Sequence, residues 1–134
     1  MNLIICIDDK NGVLFNNRRQ SQDSVLRMKI AEICNGSTLY MSPYSAKQFN
    51  DECNISASED YLNIVGKDDF CFCESCDFDA SKITELYLFK WNRLYPADVV
   101  FNINPKDIGL KLVSKEDFEG SSHKKITLEV YKSK

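Results

Sequence analysis

No stretch of this chain approaches the roughly 20 consecutive apolar residues that a membrane-spanning helix requires. The N-terminus, MNLIICIDDK, also lacks a basic leader and a small-residue cleavage site, and it meets acid within its first eight residues. It reads as a first strand, and the chain is expected to stay in the cytoplasm. Positive charge is not in excess either: 17 basic against 20 acidic side chains leave a net charge of −3. That balance gives no electrostatic reason to expect nucleic acid or an anionic membrane as a partner. Internal repeats and low-complexity segments are missing, so an ordinary packed domain is expected over residues 1–134.

What is present supports that expectation. A chain of 134 residues can bury roughly two thirds of its unfolded surface without a disulfide or a metal. The six cysteines are expected to be reduced thiols, as the cytoplasm keeps them.

Apolar residues 3–7 read as a buried strand, ended by the turn chemistry of Asp8, Asp9, Lys10, Asn11 and Gly12. Residues 13–22 read as a loop with a polar centre. Asp23 or Ser21 can cap the helix that follows, whose stripe is Leu26, Ile30 and Ile33 and whose stop is Asn35-Gly36. A strand is predicted over 38–41, helices over 45–53 and 58–65, and a strand over 70–74. The run ELYLFKW, around residues 85–91, is apolar on both faces, so it belongs inside a covered sheet, and it leaves through Tyr95-Pro96. A hairpin pairs 109–114 with 125–131, on the period-2 alternation of Ile126, Leu128 and Val130, and leaves 115–124 as a polar, mobile connection. This order predicts an α/β three-layer sandwich with a mainly parallel sheet and a C-terminal antiparallel hairpin.

In that order of elements the chain resembles a dihydrofolate reductase. MNLIICIDDKNGVLFNN is similar to the family's first strand and following loop, and NGSTLYMSPYSAKQF to its second strand and the turn after it. ELYLFKWNRLYPADVVFNI, GLKLVSKEDF and KKITLEVY are similar to its last three strands, with Asp98 at the acid of the GD-T-x-F turn. The resemblance implies an oxidoreductase using NADP on dihydrofolate or a related pteridine, with a ligand pocket lined by Ile4, Ile5, Cys6, Leu26, Phe89 and Trp91. Apart from the resemblance, the loop carrying Arg18 and Arg19 would cover the carboxyl ends of the strands, where these cations could hold an anionic ligand over the pocket mouth, with a solvated loop as the favoured expectation.

The departures point the other way. The family's proton-donating carboxylate falls on Leu26 and its threonine on Phe89, and neither can move a proton. Asp23 is the one remaining candidate acid. Where the family places a glycine pair against the pyrophosphate, Glu74, Ser75, Cys76 and Asp77 stand instead, and the helix after them is deleted. Ser42-Pro43 replaces the family's glycine and arginine, and residues 49–61 leave no room for the strand and basic loop that hold the adenosine phosphate. The expected function is therefore binding of a small ligand or a protein partner without a cofactor. A diverged pteridine reductase using Asp23 is the alternative, and a structural or regulatory subunit that dimerises through the sheet edge or the Cys71 to Cys76 side is a third reading.

Two constellations remain. Cys71, Cys73 and Cys76 are the one dense group of candidate metal ligands, and a zinc or iron–sulfur site would need Cys53 or His123 as well. C-x-C on a strand only places two thiols on one face, so buried, inert thiols are expected and no metal. His123, the only histidine, follows two serines, but no oriented acid or nucleophile elbow is in view, and it is expected at the surface.

Overall fold

The computed structural model of the chain describes residues 1–50 and 53–133. The first half contains strands β1 (Asn2–Ile7), β2 (Gly12–Phe15) and β3 (Arg18–Arg19), helix α1 (Ser24–Cys34), strand β4 (Thr38–Met41), helix α2 (Pro43–Ala46) and strand β5 (Asn54–Ala57). Helix α3 (Tyr61–Ile64) and strands β6 (Phe70–Cys73), β7 (Glu85–Lys90), β8 (Val99–Val100), β9 (Leu110–Phe118) and β10 (Ile126–Ser133) follow. Seven strands form the main sheet in the order β5-β4-β6-β1-β7-β10-β9, and β3-β2-β8 form a small second one. The strands from β5 to β7 run parallel, while β10 and β9 are antiparallel, as the sequence predicts.

The apolar runs are continuous because both faces of the sheet are covered. Along β1, Leu3, Ile5 and Ile7 enter one core with Leu86 and Leu88 of β7, under β2 and α3. Ile4 faces the other way, with Tyr87 and Phe89, onto Leu26, Ile30 and Cys34 of α1. Each large aliphatic side chain buried this way contributes roughly 1.5–3 kcal/mol. Helix α1 is set at both ends. Asp23 Oδ1 accepts from the amides of Val25 and Leu26 at 2.9 and 3.2 Å, and Asn35 takes a left-handed φ of 47° while its amide returns to Ala31.

Four expectations are corrected. The predicted loop 13–22 holds β2 and β3, joined by Asn16 and Asn17 with φ of 53° and 59°. That is a two-residue turn with both central residues left-handed, which asparagine tolerates better than most residues. The helix over 45–53 is one turn, Pro43–Ala46, capped by Ser42 and started by Pro43; residues 51 and 52 of that prediction lie outside the described residues. Where no strand was expected between 49 and 61, β5 pairs with β4 in parallel, Leu39 opposite Ile55, and it shortens the next helix to α3. Strand β9 runs on to Phe118, taking up residues 115–118 of the predicted mobile connection. Among the described residues no helix is long and apolar enough to cross a membrane.

Candidate functional site

The loop after β1 is organised by Asp8. Its Oδ1 accepts from the amides of Gly12 and Lys10 at 2.7 and 2.9 Å, and its Oδ2 accepts from Gln20 Nε2 and the Tyr95 amide. Burial favours the neutral acid, but the donors outweigh it, so the Asp8 carboxyl titrates below its ordinary value. This ties the turn after β1 to the Tyr95-Pro96 exit of β7. The β2–β3 hairpin is thereby held over the carboxyl ends of the central strands, where ligands sit in α/β sheets.

Arg19 extends from that hairpin across to α2 and the end of β6. Its guanidinium meets both oxygens of Glu74, with Nε 3.0 Å from Oε2, and donates from Nη2 to the Tyr44 carbonyl at 3.0 Å. It also lies over the Tyr44 ring, 4.3 Å from the centroid. The strap divides two spaces. Beneath it, a cavity of only about 10 Å³ lies between Cys6, Ser21, Cys73, Glu74 and Trp91. Beyond it, an open cleft of about 580 Å³ runs from Tyr44 and Ser45 to Tyr61 and Asn63, and carries Glu59, Asp60, Glu74 and Asp77. No lysine or arginine side chain is among the residues lining this cleft.

A second cluster joins α1 to the connection between β9 and β10. Asp23 is 2% exposed and His123 4% exposed. Besides capping α1, the Asp23 carboxylate accepts from the amides of Ser121 and Ser122 at 3.0 and 2.9 Å and lies 2.9 Å from His123 Nδ1. Burial again favours the neutral form, yet these donors, the Ser122 amide foremost, hold the carboxyl far below the ordinary aspartate value. On the other side of the ring, His123 Nε2 is 3.1 Å from Ser21 Oγ and 3.0 Å from Tyr95 Oη, and the imidazole stacks on Trp91 with centroids 4.6 Å apart. His123 is therefore not a surface residue, because the oriented acid it appeared to lack arrives from the helix cap 100 residues earlier.

The residues singled out from sequence are divided by the sheet. Ile4, Leu26, Phe89 and Trp91 share the α1-side core, whereas Ile5 lies in the opposite core. Cys6 and Trp91 meet at the small cavity, Arg19 closes it, and Arg18 is exposed beside Tyr95. Asp23 is far from free: every side of its carboxylate has a donor, and an acid held so firmly ionised is a poor proton source. Cys71 and Cys73 are fully buried with sulfurs 3.4 Å apart. The hydrogen bond shared with Cys71, then burial, raises the Cys73 thiol well above its usual value, and burial pushes Cys76 up to about 11. The Cys73 and Cys76 thiols stay protonated at neutral pH. Among the described residues no group of three or more His, Cys, Asp or Glu side chains is placed to hold a metal ion.

The acids Glu59 and Asp60 escaped the sequence reading because they follow a strand that it lacked. The Ser21, Tyr95 and His123 convergence escaped because it joins three remote segments. Its one local signal was the serine pair before His123, whose amides hold Asp23.

No family model matches the chain, and no curated protein matches its sequence. Among solved structures it is similar to the dihydrofolate reductase from Enterococcus faecalis, complexed with NADP(H) and RAB-propyl. The match has 9% sequence identity and a TM-score of 0.62, and covers 98% of this chain and 94% of that one. At that identity the likeness speaks for architecture alone, and the chain has a dihydrofolate reductase-like fold.

Proposed function

We propose that this protein binds a small ligand in the open cleft at the ends of β4 and β6 and does not act as an NADPH-dependent reductase. The observation that carries the reading is the contrast between the two spaces under the fold. The inner one, about 10 Å³, is close to the volume needed for a single water and far below that of a pterin ring. The outer one, about 580 Å³, has the size of a small-molecule site, and its walls carry Glu59, Asp60 and Asp77 besides the Glu74 that pairs with Arg19, with no basic side chain among them. A dinucleotide carries several negative phosphate charges, and carboxylates at such a wall oppose it. A neutral or cationic ligand fits the lining, with Tyr44 and Tyr61 supplying aromatic surface.

The diverged-reductase alternative requires a proton from Asp23 and room for a heterocycle beside Cys6. The ionised carboxylate and the closed inner cavity weigh against both requirements.

A protein partner or a second copy is the next reading, because β9 is a nine-residue edge strand with Leu112 51% and Val113 55% exposed. A monomer by light scattering at high protein concentration counts against it.

The main test is a thermal melt with NADPH together with an assay of dihydrofolate-dependent NADPH oxidation. Neither a saturable shift nor turnover is expected. A shift accompanied by turnover overturns the proposal. Neutral and amine-bearing heterocycles should instead raise the melting temperature, and Asp60→Asn combined with Glu59→Gln should reduce the shift given by the amines.

A further inference from the structure

Two asparagines of this chain precede glycines, in Asn11-Gly12 and Asn35-Gly36. Such a pair carries a chemistry that neither the cleft nor the core uses. The side-chain amide carbon of asparagine is an electrophile within ring-closing reach of the next residue's backbone nitrogen, and glycine, with no Cβ, leaves that nitrogen open to it. Closure needs a nitrogen free of hydrogen bonds, room for the side chain and a peptide unit that can turn. The fold provides these at one pair and withholds them at the other.

At Asn11 the peptide unit is tied down. The Gly12 amide donates to Asp8 Oδ1 at 2.7 Å, the Asn11 carbonyl accepts from the Phe101 amide at 2.8 Å, and the Gly12 carbonyl accepts from the Asp8 amide at 3.0 Å. Gly12 is buried in β2, where a Cβ would stand only 2.6 Å from that of Ala97. At Asn35 the unit is loose. Asn35 and Gly36 are both exposed, and a Cβ on Gly36 would meet nothing within 4 Å. Among the described residues no group hydrogen-bonds the Gly36 amide or the Asn35 carbonyl. Asn35 has a ψ of 51°, which must turn before the ring closes. The bond spanning the unit is a single one, from the Ser37 amide to the Cys34 carbonyl at 2.9 Å, at a helix end where local opening is easiest.

We infer that Asn35 is a site of spontaneous deamidation in the folded protein, and that Asn11 is protected by the loop that Asp8 organises. The Gly36 nitrogen bonds to Asn35 Cγ and gives up its proton as the side-chain nitrogen leaves as ammonia. The product is a cyclic succinimide. Water then opens either of its carbonyls, giving aspartate or isoaspartate, the latter with the backbone routed through the former side chain. Either product places a carboxylate at the C-terminal end of α1, where the macrodipole is already negative and Glu32 is exposed one turn earlier. Isoaspartate also adds a methylene to the backbone of the turn into β4, just ahead of the pairing of Thr38 with β5 and of Leu39 with β6.

The test incubates the full chain in mildly alkaline buffer made with heavy-oxygen water, folded in one sample and unfolded in urea in another, and follows both asparagines by peptide mass spectrometry. In the folded chain label should enter at Asn35 at least about ten-fold faster than at Asn11, because opening the Asn11 turn breaks a bond to a charged acceptor as well as backbone bonds. In urea the two rates should converge. The modified fraction, separated by anion exchange, should melt below the unmodified one. Equal rates at the two sites in the folded chain, no label at Asn35, or a modified fraction that melts like the fresh chain overturns the inference. So does a gap that persists undiminished in urea, which would trace to the neighbouring residues and not to the fold.

Discussion

Asp23 shows how one residue acquires two tasks. Any aspartate before an apolar stripe is a good helix cap, and that much is local. The amides of Ser121 and Ser122 and the ring of His123 make the same carboxylate the anchor of the β9–β10 connection. Its folded titration lies below its unfolded one, so the folded state is favoured above the unfolded value of about 3.9, and the gain is lost as pH falls through and below it. Asp8 is shifted in the same direction. Urea midpoints should therefore hold from pH 7 to about pH 4 and fall as the pH is lowered from there to about pH 2. Asp23→Asn should flatten that slope and cost about 3–5 kcal/mol at neutral pH, because the remaining donors lose their charged acceptor. An unchanged slope would show that other carboxylates govern acid sensitivity.

At the scale of elements, β7 carries both the likeness to a reductase and the departure from it. Its pairing with β1 and β10 places it beside the centre of the sheet, as its two-sided apolar pattern requires. Phe89, where the resemblance expects a hydroxyl, is 0% exposed and packs edge-on against Phe118, with ring centroids 6.2 Å apart. The aromatic ring is a working part of the core. Phe89→Thr should not create a proton relay. It should cost about 3–5 kcal/mol in denaturant unfolding, as large-to-small changes in a packed core do, with no pteridine reduction gained. The strands, the first helix and the final hairpin were legible at this scale because each rests on local periodicity and turn chemistry. The β2–β3 hairpin and β5 were not. Both are short, and their pairing partners, Val99–Val100 and Thr38–Met41, lie elsewhere in the chain.

For the molecule as a whole, the decisive feature is the Arg19 strap that separates a closed inner cavity from an open acidic cleft. Cys6 lines the closed side. Arg19→Ala should open it, so that a maleimide modifies Cys6 faster than in the wild-type chain, with Cys6→Ser as the control. An unchanged rate would mean that the hairpin seals the cavity without the strap. The sequence by itself determined the order of the main elements, the capped first helix and the two-sided core, since periodicity and turn chemistry act over a few neighbouring residues. Only the tertiary structure decided which spaces stay open and which polar groups meet. Asp23, His123, Ser21 and Tyr95 converge because the sheet brings together three segments, each mute alone, and burial then forces their polar atoms to find one another.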